Sequence, residues 1–229
     1  MRLRHYIKTL GTGVAIVAVV LVGTSLNTPR ARADNDNDKS DESTIKTGFD
    51  IAPVKLDLHG KNRALVGLGS YIVNAVGDCN GCHSAGPQTE FLAGGNPYLG
   101  QHPTKINTAT YLGGGRDFGP YGPGGALTHL YSRNLTPDKT GRPLGGAEFS
   151  EFLEIMRTGK DFDNVHPACT GAPNGTCLPA PFDGSLLQVM RWPFFTNMTD
   201  RDLRAIYEYL SAIPCIAGPA TGLLHHDCN

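Results

Sequence analysis

Residues 77–86 read GDCNGCHSAG and hold the only C-x-x-C-H of the chain. Three chemistries use this pattern: a zinc site, a redox dithiol, and covalent attachment of a haem. A structural zinc ion takes four ligands. Cys79, Cys82 and His83 offer at most three, crowded together, and no second C-x-x-C or H-x-x-x-H follows. A redox C-x-x-C belongs at the start of a helix after a strand, in a βαβ setting. Here the motif follows a helical pattern, and no βαβ alternation surrounds it. The haem reading has a direct chemical rationale. Each thiol adds to one vinyl group, the spacing matches two vinyls on one porphyrin edge, and the adjacent imidazole reaches the iron. Cys79 and Cys82 are therefore read as thioether cysteines holding one covalent haem c, and His83 as an iron ligand.

The N-terminus points to where such attachment takes place. Arg2, Arg4 and Lys8 precede an uncharged, Val- and Ala-rich run over Gly11–Gly23, and Ala31-Arg32-Ala33 is a small-x-small cleavage site. Residues 1–33 read as a secretory signal peptide, which places the chain in the bacterial periplasm. The rival is an uncleaved anchor giving membrane association, but spanning a bilayer takes about 20 apolar residues. The uncharged run reaches that length only by including Thr, Ser, Asn and Pro. Removing 1–33 takes away five basic residues and no acidic ones, and the formal charge moves from −1 to −6. A basic nucleic-acid surface is thereby excluded. Residues 34–48, DNDNDKSDESTIKTG, carry one Ile among polar and acidic side chains. They are expected to be disordered, within an acidic tether over 34–56.

An exported chain favours disulfides. With Cys79 and Cys82 engaged, Cys169, Cys177, Cys215 and Cys228 remain, with three possible pairings. Proximity in sequence favours Cys169–Cys177, around the loop CTGAPNGTC, and Cys215–Cys228, tying the tail 215–229 to the helix before it.

Periodicity places three helices. Over 63–76, Leu65, Leu68, Ile72 and Val76 recur every three to four residues, with Gly77 as C-cap. Gly69 costs about 1 kcal/mol against Ala inside a helix. It is expected to let the C-terminal helix approach, meeting Tyr207 or Leu210. Phe149, Phe152, Leu153 and Met156 stripe a second helix that ends at Gly159. The third, over 200–212, starts on a Thr199/Asp202 capping box, buries Leu203, Ile206, Tyr207, Leu210 and Ile213, and stops at Pro214. Between the first two lies a Gly-rich excursion over 84–131, with eleven glycines between Gly86 and Gly125. It has no helical or alternating period. It reads as a long loop containing a short hairpin, and as a cover for the cofactor edge or a docking surface.

The second iron ligand decides the chemistry. A thioether closes the position and favours the ferrous state, whereas an open position admits ligands or catalysis. After the initiator the chain has Met156, Met190 and Met198. Met156 lies on a core stripe. Met198 precedes the Thr199 cap, where an apolar residue staples a helix start. Met190 lies in an irregular stretch, LLQVMRWPFFTN, able to cross a haem face. It is the chosen ligand, with Met198 as the fallback. The other histidines, His59, His102, His129, His166, His225 and His226 among them, sit mainly in loops and tail, where solvated surface is the default.

At this point the chain resembles the class I c-type cytochromes, and especially the haem domains that serve bacterial alcohol, aldehyde and gluconate dehydrogenases as electron-transfer subunits. GSYIVNAVGDCNGCH (69–83) resembles that family's entry into its haem motif. LYSRNLTPDKTGRPLGGAEFSEFLEIMRTGKD (130–161) resembles its N-I-T-P-D segment and following helix. VMRWPFFTNMTDRDLRAIYEYL (189–210) resembles its Met-Pro loop and closing helix. The resemblance implies thioethers at Cys79 and Cys82, a proximal ligand at His83, and a distal ligand at Met190. Arg191 stands where the family has Pro. The excursion is longer than usual, and one haem motif is present where those subunits commonly carry three. The expectation is a mainly α, cytochrome c-like domain over 57–214 around one covalently bound haem. It would act as a one-electron carrier between redox partner proteins, a dehydrogenase donor and an oxidase or cytochrome acceptor, rather than as an enzyme. The rival is a haem enzyme or small-ligand sensor with a labile sixth position.

Overall fold

The computed structural model describes residues 35–120, 129–162, 177, 180–218 and 225–229, of which 35–40 are described in backbone alone. The chain opens with helix α1 (Asn35–Ile51). This corrects the expectation of a disordered tether over 34–56. Ile45 and Phe49 pack on the core, and Ala52, Val54, Leu56 and Leu58 continue that contact. Glycine supplies the rest. A Cβ on Gly48 would lie 1.9 Å from the Gly67 carbonyl oxygen, so two helices touch backbone to backbone there. The Ser70 hydroxyl donates to the Gly48 carbonyl at 2.6 Å, Arg63 covers the Phe49 ring at 4.3 Å, and Arg201 binds Asp41 at 2.6 Å.

Helix α2 (Arg63–Tyr71) starts at Asn62, whose side chain accepts from the Leu65 amide. It buries Val66 through Ser70. The predicted helix over 63–76 does not continue as one. A π turn occupies Ile72–Val76, closed by the Gly77 amide on the Ile72 carbonyl at 2.7 Å. Gly77 is the C-cap, but it keeps a right-handed conformation (φ −87°). The left-handed residue is Asp78, at φ 45°. From there the short helix α3 (Cys79–His83) carries the motif.

Residues 84–116 form a loop held by the bridge Phe91–Ile106 and a 3-10 turn at Pro97–Leu99. Strands β1 (Asp117–Pro120) and β2 (His129–Tyr131) pair antiparallel. A single irregular turn, α4 (Pro143–Gly146), follows, with Leu144 and Gly145 at positive φ. Helix α5 (Phe149–Thr158) ends on Gly159 at φ 72°, as its stripe predicts. A one-turn helix α6 (Trp192–Phe195) precedes α7 (Asp200–Ala212). The Thr199 side chain accepts from the Asp202 amide at 3.1 Å, and its hydroxyl donates to the Asp202 carboxylate at 2.8 Å.

Helices α2 and α7 make the most extensive contact of the fold. They cross at Gly69, where a Cβ would lie 1.9 Å from the Ala205 carbonyl oxygen and 2.8 Å from the Tyr209 Cβ. The crossing partners are thus Ala205 and Tyr209, not Tyr207 or Leu210. Tyr207 turns away to meet Phe149 and Phe152, at 5.4 and 5.7 Å between ring centroids, and donates its hydroxyl to the Ala147 carbonyl. Behind the π turn, Tyr111 donates to the Asn74 Oδ1 at 2.5 Å and meets the Tyr209 hydroxyl at 2.8 Å. The Asn74 Nδ2 donates to the Ser70 carbonyl at 2.9 Å. Cys215 and Cys228 are bonded, as expected. Cys177 is also in a disulfide, and its expected partner Cys169 lies outside the described residues. Among the described residues, no helix is long and apolar enough to cross a membrane.

Candidate cofactor cavity

A cavity of about 980 Å³ opens between the motif, the 115–135 segment, α5 and the 186–198 loop. Cys79, Cys82, His83 and Met190 all line it, so the structure brings the predicted site residues together. Its size is at the upper end for a small-molecule or cofactor site. Ile72, Val73, Leu130, Phe152, Ile206 and Leu210 give it apolar walls.

The imidazole of His83 is fixed by a main-chain partner. Its Nδ1 lies 2.8 Å from the Arg133 carbonyl oxygen. A carbonyl only accepts, so Nδ1 carries the proton and Nε2 keeps a free lone pair. Burial lowers the His83 pKa from its ordinary value, which keeps the ring neutral. A neutral imidazole with one nitrogen tied to an oxygen and the other free is the form that binds a metal. Helix α3 is pinned on its other faces. The Gly114 amide donates to the His83 carbonyl at 2.7 Å, and the Leu112 amide to the Asn80 Oδ1 at 2.9 Å. Gly81 lies close under Asp78, and a Cβ there would sit 2.7 Å from the carboxylate, which would have to swing aside.

Both motif cysteines are free thiols, Cys79 half-buried and Cys82 exposed. Burial first, then the Asp78 carboxylate and the Cys82 thiol, push the Cys79 pKa up to about 12. A redox dithiol works through a thiolate of lowered pKa, so the environment of Cys79 runs against that chemistry. Among the described residues, no group of three or more His, Cys, Asp or Glu side chains is arranged to hold a metal ion. The donor set is instead two thiols, one neutral imidazole and thioether sulfurs on an apolar wall. It fits a covalently attached haem.

The loop carrying Met190 is laced to α5. The Leu187 amide donates to the Gly159 carbonyl at 2.7 Å, and the Trp192 Nε1 to the Leu187 carbonyl at 3.2 Å. The Trp192 ring lies against Gly159, where a Cβ would come within 2.2 Å of it. Arg157 bonds the Thr196 carbonyl and reaches Asp200 at 2.7 Å. Met198 and Met156 line the cavity as well. Met156 is 6% exposed and belongs to the core. Met198 also closes the turn before α7, its amide donating to the Phe195 carbonyl at 3.0 Å. Arg191 lines the cavity from an exposed position and covers the Phe194 ring at 4.5 Å.

Two residues of the cavity wall were missed in the sequence. Arg133 holds His83 through its carbonyl, a role with no side-chain signature. Asp161, just past the α5 cap, lines the cavity and pairs with Arg133. His129, read as solvated surface, also lines the cavity, and the Asp117 carboxylate lies 2.7 Å from its Nδ1.

Comparison with known proteins finds relatives over about two thirds of the chain. The chain is similar to the gluconate 2-dehydrogenase cytochrome c subunit of Pantoea cypripedii, 29% identical over 150 residues, 65% of this chain and 23% of that subunit. It is similar to the cytochrome c subunit of the quinone alcohol dehydrogenase of Gluconacetobacter polyoxogenes, 29% identical over 148 residues, 64% of this chain and 21% of that subunit. The fructose dehydrogenase cytochrome subunit of Gluconobacter japonicus is 24% identical over 151 residues, 65% and 21% of the two chains. The chain thus spans less than a quarter of the length of these curated relatives. No family model matches the chain. No solved structure matches it either.

Proposed function

We propose that the protein is a periplasmic one-electron carrier holding a single covalent haem c, and that it serves a dehydrogenase as donor and an oxidase or another cytochrome as acceptor. The observation that carries this reading is one cavity lined by two free thiols, a His83 ring with its Nε2 free, and the Met190 thioether. The relatives are cytochrome subunits of dehydrogenases, which supports a dehydrogenase partner. When bound, the haem supplies a one-electron Fe(III)/Fe(II) couple. Cys79 and Cys82 would hold the haem by thioethers, each S–H adding across one vinyl double bond with the sulfur on one carbon and the hydrogen on the other. His83 would hold the iron through Nε2, its other nitrogen being held by the Arg133 carbonyl. Met190, on a loop held by Gly159 and Trp192, would offer its thioether to the iron and would keep water from it. Residues 1–33 deliver the chain to the periplasm.

The test is the optical spectrum of purified, denatured and native protein. One haem per chain should survive denaturation, and replacing both motif cysteines by Ala should abolish it. Met190→Ala should turn a low-spin site into one that binds added cyanide or carbon monoxide, with a lower potential. Met198→Ala should stay low-spin. The reverse pattern moves the ligand to Met198. Rapid carbon monoxide binding by the wild type favours the enzyme or sensor reading.

A further inference from the structure

The cavity wall carries an ion pair that electron transfer as described does not use. Arg133 and Asp161 form a salt bridge whose side chains are 23% and 8% exposed, and both line the cavity. Taking two charges out of water is costly, and a buried pair is weak evidence of a purely stabilising role. Asp161 is positioned from the backbone outward. Its amide donates to the Ser185 carbonyl at 2.8 Å, and its neighbour Lys160 bridges to Leu186. The 186–198 loop with Met190 therefore starts from the same bridge that sets the carboxylate. Arg133 joins both sides: its carbonyl accepts from the His83 Nδ1, and its guanidinium meets Asp161.

We infer that Arg133 and Asp161 act on the reduction potential of the bound haem as two opposed charges at the cavity wall, each offsetting the other. This rests on the electron-carrier reading. A carboxylate in an apolar wall stabilises the state of the cofactor with the extra positive charge, the ferric one, and lowers the potential. The guanidinium opposes it. The carbonyl of Arg133, by drawing on the His83 N–H, makes the ring a stronger donor and acts in the direction of Asp161. Other charged groups line the cavity too. Asp78 lies at the Cys79 end, and Arg191 is exposed and covers Phe194, where solvent screens it.

The experiment is potentiometric titration of the haem-loaded protein with haem content and spin state recorded. Asp161→Asn should raise the potential and Arg133→Gln, which keeps the carbonyl, should lower it. Each change should be about tenfold in the reduction equilibrium constant, the size a unit charge exerts across such a cavity at an effective dielectric near 20. For a one-electron couple that is about 59 mV. The double variant should return close to the wild-type value, and Arg133→Lys should keep it. Shifts of the same sign in both single variants, or none, with low-spin spectra and full haem content, would show a structural pair only. If Arg133→Gln fails to load haem, Asp161→Asn with Arg133→Lys decides, since a charge mechanism raises the potential in the first and leaves it in the second. A wild type without covalent haem removes the carrier reading itself, an outcome read before any potential is measured.

Discussion

Replacing Gly69 by Ala isolates the contact on which the most extensive helix pair of the fold, α2 and α7, depends. A Cβ there would lie 1.9 Å from the Ala205 carbonyl oxygen and 2.5 Å from its carbon. Both atoms are backbone, so no side chain can swing aside, and α2 and α7 must separate by more than 1 Å, roughly the overlap to be relieved. Two terms oppose each other. Ala is favoured over Gly inside a helix by about 1 kcal/mol. Overpacking a core costs about 1–3 kcal/mol, occasionally more, and a clash with a carbonyl falls at the upper end. The net effect is a loss of about 2 kcal/mol. At about 2–4 °C per kcal/mol for a chain of this size, the melting temperature should drop by about 4–8 °C. Far-UV circular dichroism reads the unfolding of α2 and α7. A variant melting at or above the wild type refutes the crossing, because only helices that do not touch at Gly69 let the propensity gain stand.

Tyr111→Phe removes a hydroxyl bonded to Asn74 and Tyr209. It should cost about 1–3 kcal/mol in urea unfolding at unchanged m-value, and a neutral result would mean the network is not formed. Breaking Cys215–Cys228 by a double Ser variant opens a loop of separation 13. It should cost about 3 kcal/mol, and an unchanged melt would contradict the constraint. Burial lowers the His226 pKa from 6.5. As pH falls through 6.5 the unfolded chain takes up the proton first, so stability is present above that value and is lost below it. Melting temperature should fall between pH 7 and pH 5, and His226→Gln should flatten the fall. An unchanged slope in that variant would assign the loss elsewhere, with His83, also lowered by burial, the next residue to examine in haem-free protein.

What could be read in the sequence was what side-chain periodicity or covalent chemistry writes into single residues. The α5 stripe, the Gly159 stop and the Thr199 cap are of this kind, and so is the C-x-x-C-H motif. Helix α1 was illegible because its packing rests on Ile45, Phe49 and the absence of a side chain at Gly48 and Gly67. A count of apolar residues sees one Ile in fifteen positions and misses a backbone-to-backbone contact. The crossing at Gly69 was expected, but its partners differ because Phe149 and Phe152 draw Tyr207 to the other side of α7. Within the cavity, the motif and the methionines Met156, Met190 and Met198 were visible. The partner of His83 was not, since a main-chain carbonyl is common to every residue and only the path of the chain selects Arg133.

The π turn over Ile72–Val76 bears on how the chain tolerates change in length. A helix advances by about 100° per residue, and the turn inserts one residue beyond what an α-helical path would need. The direction in which Cys79 and Cys82 leave α2 is thus phased by a single surplus position, like a vernier set by one notch. Deleting Ala75 would let the helix relax to regular winding and rotate everything after it, through the left-handed step at Asp78, away from the cavity. Lengthening the chain at the exposed turn Pro97–Leu99, by contrast, leaves that phase untouched. Tolerance to insertion and deletion should therefore be strict in the turn before the motif and loose at the exposed Pro97–Leu99 turn beyond it.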